Sequence, residues 1–245
     1  MKGALVALLL VLLVAIELER PGRRDLEAGA VVTPGVPPAA ADDGEPKLTR
    51  PQDLLLLEAP DRAVWQKPEQ IMDELSIADG SSVADIGAGA GWFTIRLAER
   101  VRGGIVYAQD VQPEMVAAIT RRITRQGLRN VRVVEGSDTS SGLPSRALDA
   151  VLVVDVYAEV ERPVDFLRDL ARSLKPQGRI GIVNYKPGAG GPGPSPDRRV
   201  ARDVVERDAR AAGLRVISTM DLRYEYLVVL GQAAAPAGAP AGSGA

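Results

Sequence analysis

The sequence predicts an α/β protein built on a doubly wound, seven-stranded, mostly parallel sheet with one antiparallel strand near the C-terminus. Three observations predict it. Between Asp61 and Gly231 short apolar runs alternate with stretches of helical periodicity, the pattern of βα units whose parallel strands are buried on both faces. Three glycines at every second position, Gly87, Gly89 and Gly91, follow directly on the first of those runs. A Gly-rich turn between strand and helix lets backbone approach a ligand closely. The last two β-rich runs are parted only by Met220 to Arg223, too few residues for a crossover helix. They form a hairpin, so one of them runs antiparallel.

The elements follow in order. Pro68 opens a helix with Ile71, Met72 and Leu75 on one face; proline suits the first helical position, whose N–H has no partner in the helix. Val83 to Ile86 is the first core strand and Trp92 to Val101 the helix after it. Ile105 to Ala108 is the second strand, running on to Asp110, and Pro113 starts a helix with Met115, Ile119 and Ile123 four apart. Val131 to Val134 and Ala150 to Val154 are further apolar strands. Pro163 starts a helix carrying Phe166, Leu167, Leu170 and Leu174, and Leu174-Lys-Pro-Gln-Gly178 reads as a turn before a strand over Arg179 to Val183. Asp197 is expected to cap a helix bearing Val200, Val204 and Ala211, stopped by Gly213. Leu214 to Thr219 and Tyr224 to Leu230 close the domain. Right-handed crossovers place a ligand at the carboxyl ends of such strands.

The flanks are different. Lys2 precedes an apolar run from Gly3 to Ile16, followed by Glu17, Glu19 and Arg20. A run of 14 residues suits a signal-peptide core better than a bilayer span, which needs about 20. No small-x-small site sits right behind it, since Ala28-x-Ala30 lies beyond a charged stretch. Residues 1–20 are therefore read as a signal peptide or as a membrane anchor reaching to Leu18. Arg20, Arg23 and Arg24 outnumber Lys2, which favours a membrane-associated chain with its domain on the cytoplasmic side; the alternative is export after cleavage. Residues 21–60 read as a flexible linker, 61–231 as the domain, and 232–245 as a disordered Ala/Pro/Gly/Ser tail.

Composition excludes several chemistries. The net charge of −2 and the pI near 5.4 make no electrostatic case for nucleic acid, and 4% aromatics leave few stacking surfaces. With no cysteine and no histidine, thiolate nucleophiles, Cys/His zinc sites and His-based triads are excluded. No metal is expected, and any acid or base must be a carboxylate, Tyr or Lys.

Four clusters at the expected strand ends carry the candidate chemistry. Asp85 with Gly87, Gly89 and Gly91 comes first. The spacing G-x-G-x-G lacks the extra residue of the dinucleotide fingerprint G-x-G-x-x-G. A carboxylate there repels pyrophosphate and suits a cationic or amine-bearing ligand. Asp110 lies 25 positions on, the spacing of an acid that binds both ribose hydroxyls, with an N-cap as the structural alternative. Val111 and Gln112 follow it. Gly136-Ser137-Asp138 comes after the third strand and Asp155-Val-Tyr157-Ala-Glu159 after the fourth; an acid leaving a buried strand end usually faces a site.

Motif I, Asp85-Ile-Gly-Ala-Gly-Ala-Gly91, resembles that of the class I S-adenosylmethionine methyltransferases, as do the Leu-Lys-Pro-x-Gly turn and the terminal hairpin. The likeness extends over 61–231 and implies a Rossmann-like domain. It is strongest to a bacterial group, similar to the ubiquinone/menaquinone enzymes, marked by Trp65-Gln-Lys-Pro68. It implies S-adenosylmethionine as cofactor, held by Asp85, the glycines, Asp110, Val111, Ser137, Asp138 and Asp155, with Trp65 and Lys67 over it. Such enzymes carry Tyr-His-Glu where this chain has Tyr157-Ala-Glu159.

The expected function is methyl transfer to a small-molecule or lipid-like acceptor. Asp155, Tyr157 and Glu159 are the catalytic candidates, with Tyr185 a further base and Lys186 a cation for an anionic acceptor. The alternative is a catalytically weak or inactive module that binds S-adenosylmethionine or S-adenosylhomocysteine and works through partner contacts. The missing His and the Gly/Pro stretch Pro187 to Asp197, a lid or an eroded insert, favour it. A nicotinamide oxidoreductase is disfavoured by the glycine spacing and by the lack of a His or Tyr-x-x-x-Lys pair.

Overall fold

The computed structural model describes residues 59–233. The apolar run at 3–18, the linker before residue 59 and the tail from residue 234 lie outside the described residues. Among the described residues no helix is long and apolar enough to cross a membrane.

Two short helices, α1 (Arg62–Gln66) and α2 (Pro68–Glu74), precede β1 (Ser82–Ile86), α3 (Trp92–Arg100), β2 (Ile105–Asp110), α4 (Pro113–Arg125) and β3 (Val131–Glu135). The chain continues as β4 (Leu148–Val154), α5 (Pro163–Ser173), β5 (Leu174–Tyr185), α6 (Arg202–Ala211), β6 (Leu214–Asp221) and β7 (Glu225–Gln232). Prolines stand at the N-termini of α2, α4 and α5, as the sequence predicts.

One seven-stranded sheet runs in the order β3-β2-β1-β4-β5-β7-β6. β1 pairs in parallel with β2 and β4, β2 with β3, and β4 with β5. β7 inserts between β5 and β6, antiparallel to both. Its position follows from the hairpin: the short turn brings β7 straight back beside β6, and its far edge closes on β5.

Alternation along each strand divides the core in two. Val83, Leu152, Val183 and Val229 face α2 and α3 with Leu75, Phe93 and Leu97. Ala84, Val153, Ile182 and Val228 face α5 and α6 with Leu167, Leu170, Val205 and Ala209. This period of two, buried on both sides, is why the central strands read as continuous apolar runs.

Two boundaries differ from expectation. Asp197 lies in a short 3₁₀ turn, Pro196–Arg198, and the helix starts at Arg202 after an extended Ala201; Val200 therefore precedes the helix. Strand β5 begins at Leu174, before the anticipated turn, because the pairing jumps from Leu148↔Leu174 to Ala150↔Arg179. Pro176, which cannot donate to a ladder, falls within that jump.

Candidate active site

β1 lies between β2 and β4, so the chain winds off to one side and returns on the other. The loops leaving β1 and β4 part there, at the carboxyl ends of the strands, where such sheets open a crevice. The structure has a cavity of about 590 Å³ at that place.

The turn after β1 forms its floor. Gly87, Gly89 and Gly91 all take positive φ, 63°, 55° and 84°. Gly87 needs its missing side chain as well, because a Cβ there would press into Val156 Cγ2; the β1 and β4 loops meet at this point. Backbone N–H groups stitch the turn to β2: Ala88 donates to the Gln109 carbonyl (2.9 Å) and Gly89 to the Asp110 carboxylate (2.9 Å). Gly87 and Gly89 line the cavity, whereas Gly91 is the N-cap of α3 and lies outside the lining.

Asp85, next to last in β1, is buried and accepts a bond from the Thr94 hydroxyl at 2.6 Å. Burial pushes its pKa up to about 7, against the Thr94 bond and the positive charge of Arg62. Asp110 ends β2 and accepts the Gly89 N–H on one oxygen and the Gln112 N–H (3.0 Å) on the other. A carboxylate has about four lone-pair directions, and with the Gln112, Gly89 and Val111 amides beside it Asp110 keeps capacity to accept from a ligand. Burial also raises the Asp110 pKa. Val111 lines the cavity beside it, as do Ser137 and Asp138, held in a turn closed by the Ser137–Ser140 pairing.

Asp155 follows β4 directly, with φ 59°. Among the described residues both its carboxyl oxygens are buried without a well-formed hydrogen bond, with Gln66 and Glu225 close by and Arg62 Nη2 3.8 Å away. Burial raises its pKa to about 6, opposed by Arg62. Glu159 ends the 3₁₀ turn Tyr157–Glu159 and lines the cavity half-buried; burial lifts its pKa to about 7, opposed by Arg198.

Three residues that sequence reasoning missed support this end. Glu225 opens β7 fully buried and accepts Gln66 Nε2 on both oxygens, at 2.9 and 3.1 Å. Gln66 Oε1 in turn accepts the Arg62 Nε–H at 2.6 Å, and the Arg62 guanidinium lies 4.4 Å over the Trp92 ring. Burial and the Asp155 charge drive the Glu225 pKa well above its ordinary value. Gln66 lies inside the Trp-Gln-Lys-Pro motif, and Glu225 is an acid inside an apolar strand; those were the available signals. Their pairing across 159 positions was invisible.

Other expected positions take different roles. Trp65 is buried between Tyr185 and Tyr224, ring centroids 6.2 and 5.7 Å away, and Lys67 is exposed at the left-handed break between α1 and α2 (φ 53°). Neither lines the cavity. Their helix delivers Arg62 and Gln66 instead. The Tyr157 hydroxyl donates to Asp208 at 3.0 Å on the α5–α6 side of the sheet, which takes it out of the cavity. Tyr185 also lies outside the lining, and Lys186 Nζ donates to the Leu222 carbonyl at 2.6 Å. The stretch Pro187 to Asp197 is a built loop. Arg199 donates to the carbonyls of Lys186 (3.2 Å), Ala189, Pro192 (3.3 Å) and Pro194 (2.9 Å), while Gly191 and Gly193 lie against the rings of Tyr224 and Tyr185, where no Cβ fits.

Residues 84–182 match the methyltransferase domain family. Over 117 residues the chain is 35% identical to a protein-L-isoaspartate O-methyltransferase of Pyrococcus horikoshii, covering 46% of this chain and 50% of that protein. Over 160 residues it is 31% identical to a demethylmenaquinone methyltransferase of Tropheryma whipplei, covering 62% and 59%. The chain thus spans about half to three fifths of the length of these curated relatives. Among solved structures, a SAM-dependent methyltransferase from Aquifex aeolicus superposes with a TM-score of 0.71 at 29% identity, covering 75% of this chain and 98% of that one. The matched stretch, the strand order and the Gly-rich turn with its two flanking acids agree: over residues 84–182 the chain is similar to methyltransferase domains, and its fold is the one seen in the Aquifex SAM-dependent methyltransferase.

Proposed function

We propose that this protein transfers a methyl group from S-adenosylmethionine to a small-molecule or lipid-like acceptor. The observation that carries the reading is Asp110, at the end of β2, bound to the Gly89 and Gln112 amides, lining the cavity and still able to accept. That is a seat for two ribose hydroxyls beside a turn shaped for close approach. Asp85 and the turn around Gly87 and Gly89 would hold the amino acid head, and Val111, Ser137 and Asp138 the adenine. Asp155, on the β4 side, adds negative charge that suits a sulfonium.

When bound, S-adenosylmethionine supplies an activated methyl on a cationic sulfur. The chain's own residues align an acceptor with that methyl and exclude water. Arg62, Trp92 and Phe93 wall the cavity. Glu159 takes a proton where the acceptor must lose one, its pKa near 7 placing it close to a working base.

Calorimetric titration of the full chain with S-adenosylmethionine and S-adenosylhomocysteine tests the reading. Both bind, and Asp110→Ala weakens both about 10- to 100-fold, the loss of charge-assisted bonds worth roughly 1.5–3 kcal/mol. Absence of binding to the folded chain overturns it. One observation favours a second reading, a binding module without turnover: the Tyr157-Ala-Glu159 turn offers the cavity one carboxylate and no imidazole. Release of labelled methyl from bound cofactor into cell extracts separates the two. The apolar run at 3–18 extends the proposal to a membrane-tethered domain facing the cytoplasm, tested by C-terminal reporter fusions that are active only on one side.

A further inference from the structure

Eight carboxylates line the cavity against two guanidiniums. Most of that charge has an occupation. Asp85, Asp110 and Asp138 fall to the cofactor in the reading above, on which this inference rests. Asp169 accepts the Ser141 N–H at 2.8 Å and pairs with Arg172, and Asp165 pairs with Arg168 at 3.2 Å. Glu161 is exposed at the rim beside Arg162. Asp155, which the same reading also turns toward the sulfonium, and Glu159 remain for the acceptor.

Among the described residues both oxygens of Asp155 are buried without a well-formed hydrogen bond, beside Gln66 and Glu225 and with Arg62 at 3.8 Å, and the Glu159 carboxylate feels the positive charge of Arg198. The cation beside Asp155 is shared: Arg62 also donates to Gln66 and lies on the Trp92 face. Behind Asp155 stands Glu225, a further buried acid held by the neutral Gln66. The cation suited to an anionic acceptor, Lys186, is spent on the Leu222 carbonyl and stands 3.9 Å from Asp221.

We propose that the acceptor is an amine that enters as its ammonium ion, held by Glu159 in the field of Asp155, and that anionic acceptors are excluded. An anion placed there would meet two carboxylates whose charge Arg62 and Arg198 only partly offset, in a partly desolvated cavity where like charges repel strongly. An ammonium donates to Glu159 and is drawn by the charge of Asp155, whose oxygens are buried behind it. The transfer balances simply. One N–H proton passes to Glu159, the freed nitrogen lone pair forms the new N–C bond to the methyl, and the C–S bonding pair stays on sulfur. The product is a methylated ammonium and a neutral thioether, and the proton then leaves Glu159 to solvent. The raised pKa of Glu159 fits it to receive that proton.

The test uses the full chain saturated with S-adenosylhomocysteine and three probes of similar size: benzylamine, phenol and benzoate. Calorimetry at millimolar probe concentrations should show benzylamine binding about tenfold or more tighter than either other probe, a difference of roughly 1.4 kcal/mol. Glu159→Gln should abolish that preference while leaving S-adenosylhomocysteine affinity within about threefold of wild type. Asp155→Asn, a second variant that also removes one charge, should reduce the preference in the same direction. Benzoate or phenol binding as well as benzylamine, or no probe binding to the loaded chain, overturns the inference. If S-adenosylhomocysteine itself does not bind, the cofactor reading has failed instead, and the two failures are distinct.

Discussion

Replacing Gly87 with alanine tests the architecture of the site at its tightest point. Gly87 holds φ 63°, and a Cβ there would press into Val156 Cγ2 with Cγ1 at 3.3 Å. An L-residue in the left-handed region costs about 1–2 kcal/mol, and forcing a methyl into an occupied space typically costs about 1–3 kcal/mol. Gly87→Ala should therefore destabilise by about 2–5 kcal/mol, a large share of a stability of roughly 5–15 kcal/mol. The two causes separate by a second substitution. Val156→Ala removes the obstructing methyls and leaves the backbone strain, so the double variant should recover about 1–3 kcal/mol relative to the sum of the singles. Urea denaturation followed by circular dichroism measures each corner, with unchanged m-values showing that the denatured state is not the cause. A single-variant cost below about 1 kcal/mol, or singles that simply add, would refute the claim that the β1 and β4 loops touch at this glycine.

The remaining predictions concern charge and loop order. S-adenosylmethionine differs from S-adenosylhomocysteine by one methyl and one positive charge, so its relative affinity reports the ionisation of Asp85, Asp155 and Glu159. These titrate near 7, 6 and 7; the cation favours their ionised forms, so preference for S-adenosylmethionine should rise as pH climbs through 6 to 7, and a flat ratio by calorimetry would contradict it. Glu225 has a folded pKa well above its unfolded value, so the native state holds the extra proton and wild-type stability should fall as pH rises above the unfolded range of about 4.3. Glu225→Gln keeps the shape without the titration; its urea midpoint should fall less than wild type between mildly acid and mildly alkaline pH, and parallel profiles would speak against burial of an ionisable group. Arg199→Met removes the donor to four loop carbonyls; limited proteolysis should then cut within 187–198 markedly faster, while an unchanged cutting rate would show that the loop holds itself.

The fold was legible because its signals are local. Apolar runs at Val83, Val106 and Val151, prolines at helix starts, and a turn too short for a crossover each bear on a few neighbouring residues. In sum they leave one doubly wound topology with a terminal hairpin. The glycine spacing and Asp110 were legible for the same reason: a turn and the acid that closes it report their conformation within one βα unit. The unread boundaries, the start of β5 and the start of α6, turn on pairing register and on a 3₁₀ turn, which neighbouring residues do not settle.

The β4–β7 end of the site was decided elsewhere. Arg62, Gln66, Asp155 and Glu225 come from α1, the end of β4 and the start of β7, and only the insertion of β7 beside β5 brings them together. Trp65 and Lys67 were the conspicuous residues of their motif, yet a left-handed residue at the α1–α2 break exposes one while aromatic packing buries the other, leaving Gln66 to reach inward. Tyr157 and Glu159, two positions apart on a 3₁₀ turn, part company: Tyr157 turns into the α5–α6 layer and Glu159 into the cavity. By itself the sequence determined the fold class, the Gly-rich turn and the acids at the strand ends, because dihedral preference and hydrophobic period act over a few residues. Only the tertiary structure decided which of those acids share a cavity, which are paired and which are left without a partner, because burial and Coulomb interaction depend on distance through space and not along the chain.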